Sequence, residues 1–224
     1  MPTSAGGFHP QQVWDFWFPD NGHSSDLDSH RDFWIWRMTG RADEDICNNF
    51  TEMAEAAVQG QLDHWAETKE GWLALIIVLD QFSRSVWRDS PQAFAQDIKA
   101  ARLALDGIKS GFYQQLENVW EKNFVLICIG HCEGPDHLER IDLTIEMSDK
   151  LKETAPKQLT KMYELSSGQP RLVRGIIQRF GRHAHRNEVL GRISTAQEIA
   201  YVKEGKFPHN RPPSELDAQL KAGD

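Results

Sequence analysis

The sequence has few cysteines, few tyrosines and no long apolar run. Its three cysteines, Cys47, Cys128 and Cys132, form neither an even disulfide set nor a zinc-finger spacing, which is typical of a reducing compartment. The longest apolar stretch is far shorter than the ~20 residues that cross a membrane, and the first residues lack the basic and apolar regions of a signal peptide. We therefore expect a cytoplasmic protein with no membrane partner.

Positive charge is also scarce. Lysine and arginine number 25 against 33 acidic residues, so the formal net charge is −8. Such a surface repels phosphate backbones and anionic lipids, and we expect no nucleic-acid partner. The chain has no nucleophile elbow, phosphate-binding glycine loop or metalloprotease motif, and no cluster with the ligand spacing of a known metal site. The sequence therefore predicts no metal site and leaves the cofactor unknown.

The chain is rich in apolar and aromatic residues. Its 224 residues are 40% hydrophobic and include 8 Trp and 11 Phe, enough for one substantial core. In residues 72–79 the indole N–H of Trp72 is the one polar side-chain group, so every face of this stretch gains by burial. The pattern runs on to residue 87 without Gly or Pro, which favours a helix over a buried strand. We predict a central, covered helix at about residues 72–87.

The remaining start and stop signals are those of further helices. Thr68 can cap the central helix, and Ser90 followed by Pro91 predicts a helix with an apolar stripe through Phe94, Ile98, Ala101 and Leu105. Residues 116–129 are a second apolar run, and residues 194–197 have the form of a capping box. The fold prediction is all-α: antiparallel helical hairpins stacked into a curved array around the central helix, in one domain of residues 1–206 with an extended tail at 207–224.

A first polar cluster follows the apolar half of the central helix. Asp80 and Arg84 share one face of the predicted helix there, and Gln81 and Arg88 lie on the adjacent face. An aspartate, an amide and a guanidinium at the end of a buried helix can orient a polar ligand. Alternatively, Asp80 and Arg84 form an internal ion pair at i,i+4.

A second cluster, with His131 and Glu133, lies between Gly130 and Pro135. A histidine and a carboxylate at a helix-to-helix junction can act as general acid and base. The alternative is structural, with the histidine capping one helix and the carboxylate stabilising the start of the next. Cys128 and Cys132 nearby are expected to be small buried hydrophobes.

The third cluster is basic. Residues 171–192 hold six arginines and two histidines against one acid, Glu188. The planar fork of arginine suits carboxylate or phosphate. The break at Gly181 lets four side chains converge in a turn: Arg182, His183, His185 and Arg186. In the alternative, these arginines pair with the acidic face of the helix predicted within residues 136–153.

These same segments resemble a known family. The sequences Leu-Asp-Gln-Phe-Ser-Arg at 79–84, Ser-Pro-Gln-Ala-Phe-Ala-Gln-Asp at 90–97, His-Cys-Glu at 131–133 and Arg-Phe-Gly-Arg-His-Ala-His-Arg-Asn at 179–187 resemble the bacterial family called domain of unknown function 924. Asp-Phe-Trp-Phe at 15–18 and Gly-Gln-Leu-Asp-His-Trp at 60–65 fit the same family. The resemblance implies an all-helical fold similar to the tetratricopeptide-like superfamily, and no established activity.

The chain also departs from the family pattern. Ser83 and Ala184 stand where the family has proline, Cys132 stands where it has serine, and the family's Tyr-x-Pro reads Leu126-Ile-Cys128. The polar residues that the resemblance retains form the candidate site: Gln81, Arg84, His131, Glu133, Arg179, Arg182, His185, Arg186 and Asn187.

Two hypotheses for function follow. In the first, Arg84, Arg182 and Arg186 hold a small anionic ligand, with Gln81, Arg179, His185 and Asn187 beside them, while His131 and Glu133 transfer protons. In the second, the chain is an interaction protein whose arginine-rich groove binds an acidic peptide or protein partner. A closed pocket favours the first hypothesis and a long open groove favours the second.

Overall fold

The computed structural model describes residues 7–205, and within this range the chain is helical with no strand, so the all-α prediction is confirmed. The predicted tail at 207–224 lies outside the described residues. Four 3-10 turns, Asp63–Glu67, Pro91–Phe94, Lys157–Leu159 and Ala184–Arg186, and one π turn, Val78–Phe82, connect the helices of this range. The helices are α1 Pro10–Trp17, α2 Pro19–His23, α3 Leu27–Met38, α4 Asp43–Val58, α5 Lys69–Ile77, α6 Ser83–Val86, α7 Asp97–Ser110, α8 Phe112–Gln115, α9 Val119–His131, α10 His137–Lys152, α11 Thr160–Ser167, α12 Gln169–Phe180 and α13 Ala196–Glu204.

The predicted central helix is confirmed. It consists of α5, the π turn and α6 in direct succession, and all of residues 71–83 are buried. The hydroxyl of Thr68 accepts a hydrogen bond from the Gly71 N–H at 3.1 Å, as a capping residue does. Helices α1, α4, α7 and α9 pack around this element. The π turn widens the helix at Asp80 and Gln81, a distortion that often accompanies a functional site.

Aromatic rings fill the core beside the central helix. The Trp17 ring meets the rings of Phe82 and Phe124 edge-on, each at 5.5 Å between centroids. A smaller apolar cluster of Ile141, Ile176 and Ile177 joins α10 to α12. Because α10 also packs on α9 and α11, it connects the central core to the basic segment that follows.

The α2 turn reverses the chain through left-handed backbone. The φ angles of Asp20, Asn21, Gly22 and His23 are 47°, 54°, 66° and 55°. The Gly22 carbonyl accepts from His30 Nδ1, and Asn118 Nδ2 donates to Asn21 Oδ1 at 3.0 Å. A Cβ at residue 22 would lie 2.8 Å from Trp120 Nε1, so glycine is required there by space as well as by φ.

Three details differ from the sequence predictions. Ser90 caps a 3-10 turn of only four residues, and α7 begins at Asp97, so Ile98 is 65% exposed instead of lying in the apolar stripe. The second apolar helix, α9, begins at Val119 and runs through Gly130 to His131. The last capping box is formed by Thr195 and Glu198, one residue later than predicted.

Two further predictions concern shape and location. Stacking of the helices into a curved tetratricopeptide-like array stays a prediction. Among the helices of residues 7–205, none has both the length and the apolar character needed to cross a bilayer.

The contact between Gly107 and Trp72 gives a test of the packing of α7 on α5. A Cβ at Gly107 would lie 2.2 Å from the indole ring of Trp72, whose Nε1 donates to the Leu103 carbonyl at 2.7 Å. We expect Gly107→Ala to lower the free energy of unfolding in urea by about 1–3 kcal/mol through overpacking. The control is Gly175→Ala on α12, where no atom beyond the adjacent residues and the helix's own backbone lies within 4 Å of the new methyl group. That variant should be more stable by about 0.5–1 kcal/mol, and equal effects would contradict the packing.

Candidate functional site

The centre of the candidate site is a hydrogen bond between Asp80 and His131. Asp80, in the π turn, is 1% exposed, and its Oδ1 and Oδ2 lie 2.9 and 3.1 Å from His131 Nδ1 at the end of α9. Gln81 Nε2 also donates to this carboxylate. A carboxylate anion only accepts, so Nδ1 carries the imidazole hydrogen and the lone pair is on Nε2. This tautomer is the one that suits a general base.

Two arginines and a second aspartate extend this centre into what we term the ion cluster: Asp80, Arg84, Asp97 and Arg186. The predicted pair is confirmed, with Arg84 Nη1 at 2.9 Å from Asp80 Oδ1. Asp97, in the first turn of α7, accepts from Arg84 Nη2 at 2.8 Å and from Arg186 Nη1 at 2.9 Å. Arg186, 3% exposed, also donates to the His131 carbonyl at 3.0 Å.

An aromatic ring lies against the ion cluster. The centroid of Phe94 is 5.6 Å from Arg84 Cζ and 4.5 Å from Arg186 Cζ. Phe94 belongs to the 3-10 turn before α7, so it lies outside the predicted helical stripe. The ring packs against both guanidinium groups and attracts them through its π face.

Burial and charge set the protonation states at the centre. Burial acts to raise the pKa of Asp80, but Arg84 and His131 hold that pKa below its ordinary value, so the carboxylate is ionised. Burial, with Arg84, lowers the pKa of His131 below 6.5 despite the opposite effect of Asp80. Burial and Arg186 lower the pKa of His185 to about 4. Both histidines are therefore neutral at pH 7.

Glu133 is engaged elsewhere. Its Oε1 accepts from the His183 backbone N–H at 2.6 Å, and both carboxylate oxygens accept from Arg192. Burial acts to raise the pKa of Glu133, but these hydrogen bonds lower it below its ordinary value. Through these hydrogen bonds, Glu133 holds residues 181–192 against the junction that follows α9. Its role as acid–base partner of His131 stays a prediction.

The other predicted ligand residues separate into three groups. Gln81, Arg84 and Arg186 surround Asp80 and Asp97, and His185 lies close enough for Arg186 and His131 to affect its pKa. Arg182 and Asn187 hold the segment together: Arg182 binds Glu198 through two bonds of 2.7 and 2.9 Å, and Asn187 Nδ2 donates to Ser194 Oγ at 2.9 Å. Arg179 is exposed, with its guanidinium 4.7 Å from the Phe180 centroid.

The alternative for the basic segment is confirmed in part. Arg171 and Arg174 pair with Asp149 and Asp142 on the acidic face of α10. Arg186 instead pairs with Asp97 on α7, a contact that no local sequence pattern indicates.

The cysteines supply no nucleophile to the ion cluster, and the predicted site residues do not line the surface clefts. Burial raises the pKa of the Cys128 and Cys132 thiols, so neither is a thiolate nucleophile at pH 7. In the part of the chain that the structure describes, no three His, Cys, Asp or Glu side chains are grouped to hold a metal ion. Two surface clefts, of about 490 and 370 Å³, lie along α1 and α7, and no predicted site residue lines either one.

Removing the charge of Asp97 tests the ion cluster. Asp97→Asn removes the carboxylate partner of the buried Arg186 and one of the two carboxylates that pair with the half-buried Arg84. We expect a loss of about 3–5 kcal/mol in the free energy of unfolding. The control is Asp142→Asn on α10, whose ion pair with Arg174 is exposed and contributes little. Chemical denaturation of both variants at neutral pH measures the difference. A small loss for Asp97→Asn would mean that water solvates the cluster.

Comparisons with known proteins agree with this fold. The chain is similar to the solved structure of a protein of unknown function from Agrobacterium tumefaciens, with a TM-score of 0.64, 26% identity, and coverage of 88% of this chain and 96% of that one. No curated protein matches the chain. The family model described as "Bacterial protein of unknown function (DUF924)" matches residues 13–206. The chain therefore belongs to the bacterial family of unknown function DUF924.

Proposed function

We propose that the chain binds a small anionic ligand at the ion cluster and that His131 exchanges a proton with it. The observation that carries this proposal is the hydrogen bond of 2.9 Å from His131 Nδ1 to a buried carboxylate, Asp80. A carboxylate in this position orients the imidazole, fixes its tautomer and stabilises the imidazolium that forms when Nε2 takes a proton. Because His131 is neutral at pH 7, it is in the form that a general base needs.

In this proposal the acid–base partner of His131 is Asp80 and not Glu133, the partner expected from the sequence. Asp80 contacts the imidazole directly, whereas Glu133 is bound by Arg192 and the His183 N–H. The proposed acid–base unit is therefore Asp80 with His131. Glu133 fixes the segment that carries Arg186.

The arginines supply the anion-binding part of the proposal. Arg84 pairs with Asp80 and Asp97, but 19% of its side chain is exposed, so a ligand anion can approach it from solvent. Arg186 Nε is buried and has no protein acceptor, which leaves one donor of this guanidinium for a ligand. Phe94 provides an apolar wall beside both groups.

The acidic-peptide hypothesis has less support. Arg171, Arg174 and Arg182 are each paired with a carboxylate of the chain itself. An acidic peptide would have to displace those carboxylates before it could bind. The pairs of Arg171 and Arg174 are exposed, so their exchange yields little free energy, and the pair of Arg182 involves a buried carboxylate, Glu198.

A thermal-shift screen against anionic metabolites tests ligand binding. A ligand at about a hundred times its Kd adds about 2.7 kcal/mol of stability, which is readily measured. We expect a hit to be lost in Arg186→Ala and kept in the control Arg171→Ala, because the Arg171 side chain is exposed and pairs with Asp149 instead of joining the ion cluster. A hit that both variants retain would place the ligand elsewhere on the chain.

Turnover of the hit, followed by proton NMR, tests the chemistry. His131→Gln should bind the hit without converting it, and Asp80→Asn should slow conversion by about 10²–10⁴-fold because the imidazole loses its orientation. The wild-type rate should be constant above pH 7 and fall as pH drops through the lowered pKa of His131, where the base becomes protonated. Glu133→Gln is the discriminating control. If it abolishes conversion while Asp80→Asn does not, the partner of His131 is Glu133.

A further inference from the structure

Arg37, on α3, lies in an aromatic cage far along the chain from the ion cluster. It is 5% exposed, and five rings surround its Cζ at centroid distances between 4.6 and 6.0 Å. The ring of Phe33 is the nearest, at 4.6 Å, and Phe124 follows at 5.0 Å. The remaining three rings belong to Trp17, Phe18 and Trp34.

The hydrogen bonds of Arg37 involve one side of its guanidinium. Nη1 donates to the Trp17 carbonyl at 2.8 Å. Nε and Nη2 are buried and have no protein acceptor. These two nitrogens carry the parallel N–H groups that match the two oxygens of a carboxylate.

Other arginines of this chain show what that edge binds. In Arg140, Arg174 and Arg182, Nε and Nη2 both donate to one carboxylate, of Asp136, Asp142 and Glu198 respectively. Arg37 presents the same edge without a protein carboxylate. Burial is the larger influence on the pKa of Arg37 and lowers it to about 9, while Tyr163 acts in the opposite direction. Arg37 is therefore charged at pH 7.

The aromatic rings do not replace a counter-ion. A ring attracts a guanidinium through its π face, but it offers no oxygen acceptor to the Nε and Nη2 hydrogens. A buried cation whose donors lack acceptors is costly, and an anion in the plane removes that cost. The indole Nε1 of Trp17, whose ring is 5.6 Å from Arg37 Cζ, is a further buried donor without a protein acceptor.

We propose that the Nε and Nη2 edge of Arg37 binds the carboxylate group of a small organic acid. Phe33 and Trp34 are only half-buried, so the cage reaches the surface on the α3 side. The confined, apolar surroundings select a small acid over a peptide or a polymer. This site shares no residue with the Asp80 and His131 centre and is independent of the function proposed above.

Thermal unfolding with sodium acetate, compared with sodium chloride at equal ionic strength, tests this site. We expect acetate to raise the wild-type midpoint in a saturable way and chloride to have a smaller effect. Arg37→Met should abolish the acetate shift and, because it removes an uncompensated buried charge, should unfold at a higher midpoint without acetate. The control Arg174→Met should respond to acetate as the wild type does, because the Arg174 fork is filled by Asp142.

Several outcomes would overturn the proposal. They are an equal acetate shift in the wild type and Arg37→Met, an equal effect of chloride and acetate, and a shift that survives Arg37→Met but is lost in Arg186→Ala. The last would place acetate at the ion cluster instead. If Arg37→Met does not fold, the Nε–H resonance of Arg37 in the wild type decides the question in a nitrogen-proton NMR titration with acetate. A saturable shift of that resonance supports the site, and an unchanged resonance refutes it.

Discussion

The structure depends on neutralising charge at the π turn of a buried helix. Residues 71–83 are covered on all sides, yet Asp80 lies among them as an anion. An isolated carboxylate there would make burial of the central helix unfavourable. Arg84 from the next turn, Gln81 beside it and His131 from α9 supply the donors that make burial possible. The same central helix therefore forms the middle of the apolar core and carries the charged groups of the candidate site, so the core can pack only if those charges are neutralised.

The ion cluster also explains how distant parts of the chain are held together. Asp97 begins α7 and Arg186 belongs to the basic segment, 89 residues later, and their ion pair joins these elements beside the end of α9. Glu133 and Arg192 make a second connection to the same junction. Because Arg182, Arg186 and Arg192 each bind a carboxylate from another part of the chain, charge pairs position the segment after α12. These pairs also bring charged and polar side chains close to one another, which an active site requires.

Local sequence was sufficient for much of the fold and for part of the site. The central helix was predictable because residues 72–79 are apolar on every face. The ion pair of Asp80 and Arg84 was predictable because i,i+4 neighbours meet on a helix. The start of α7 was not predictable from local sequence. Phe94 departs from the helical stripe and lies against two guanidinium groups that come from elsewhere in the sequence. The partner of His131 was missed for the same reason, because Asp80 is 51 residues away. Periodicity reports neighbours within one element, whereas these contacts join separate elements.

The left-handed α2 turn has a consequence for everything that α3 carries. Three of its four residues with positive φ are not glycine, and each costs roughly 1–2 kcal/mol relative to ordinary backbone. His30 and Asn118 hold this conformation through hydrogen bonds, and Trp120 covers Gly22. Such a corner fixes both the direction and the rotation of α3 as it leaves α1. A looser connection would let the helix turn about its own axis, and the guanidinium of Arg37 would no longer face the ring of Trp17.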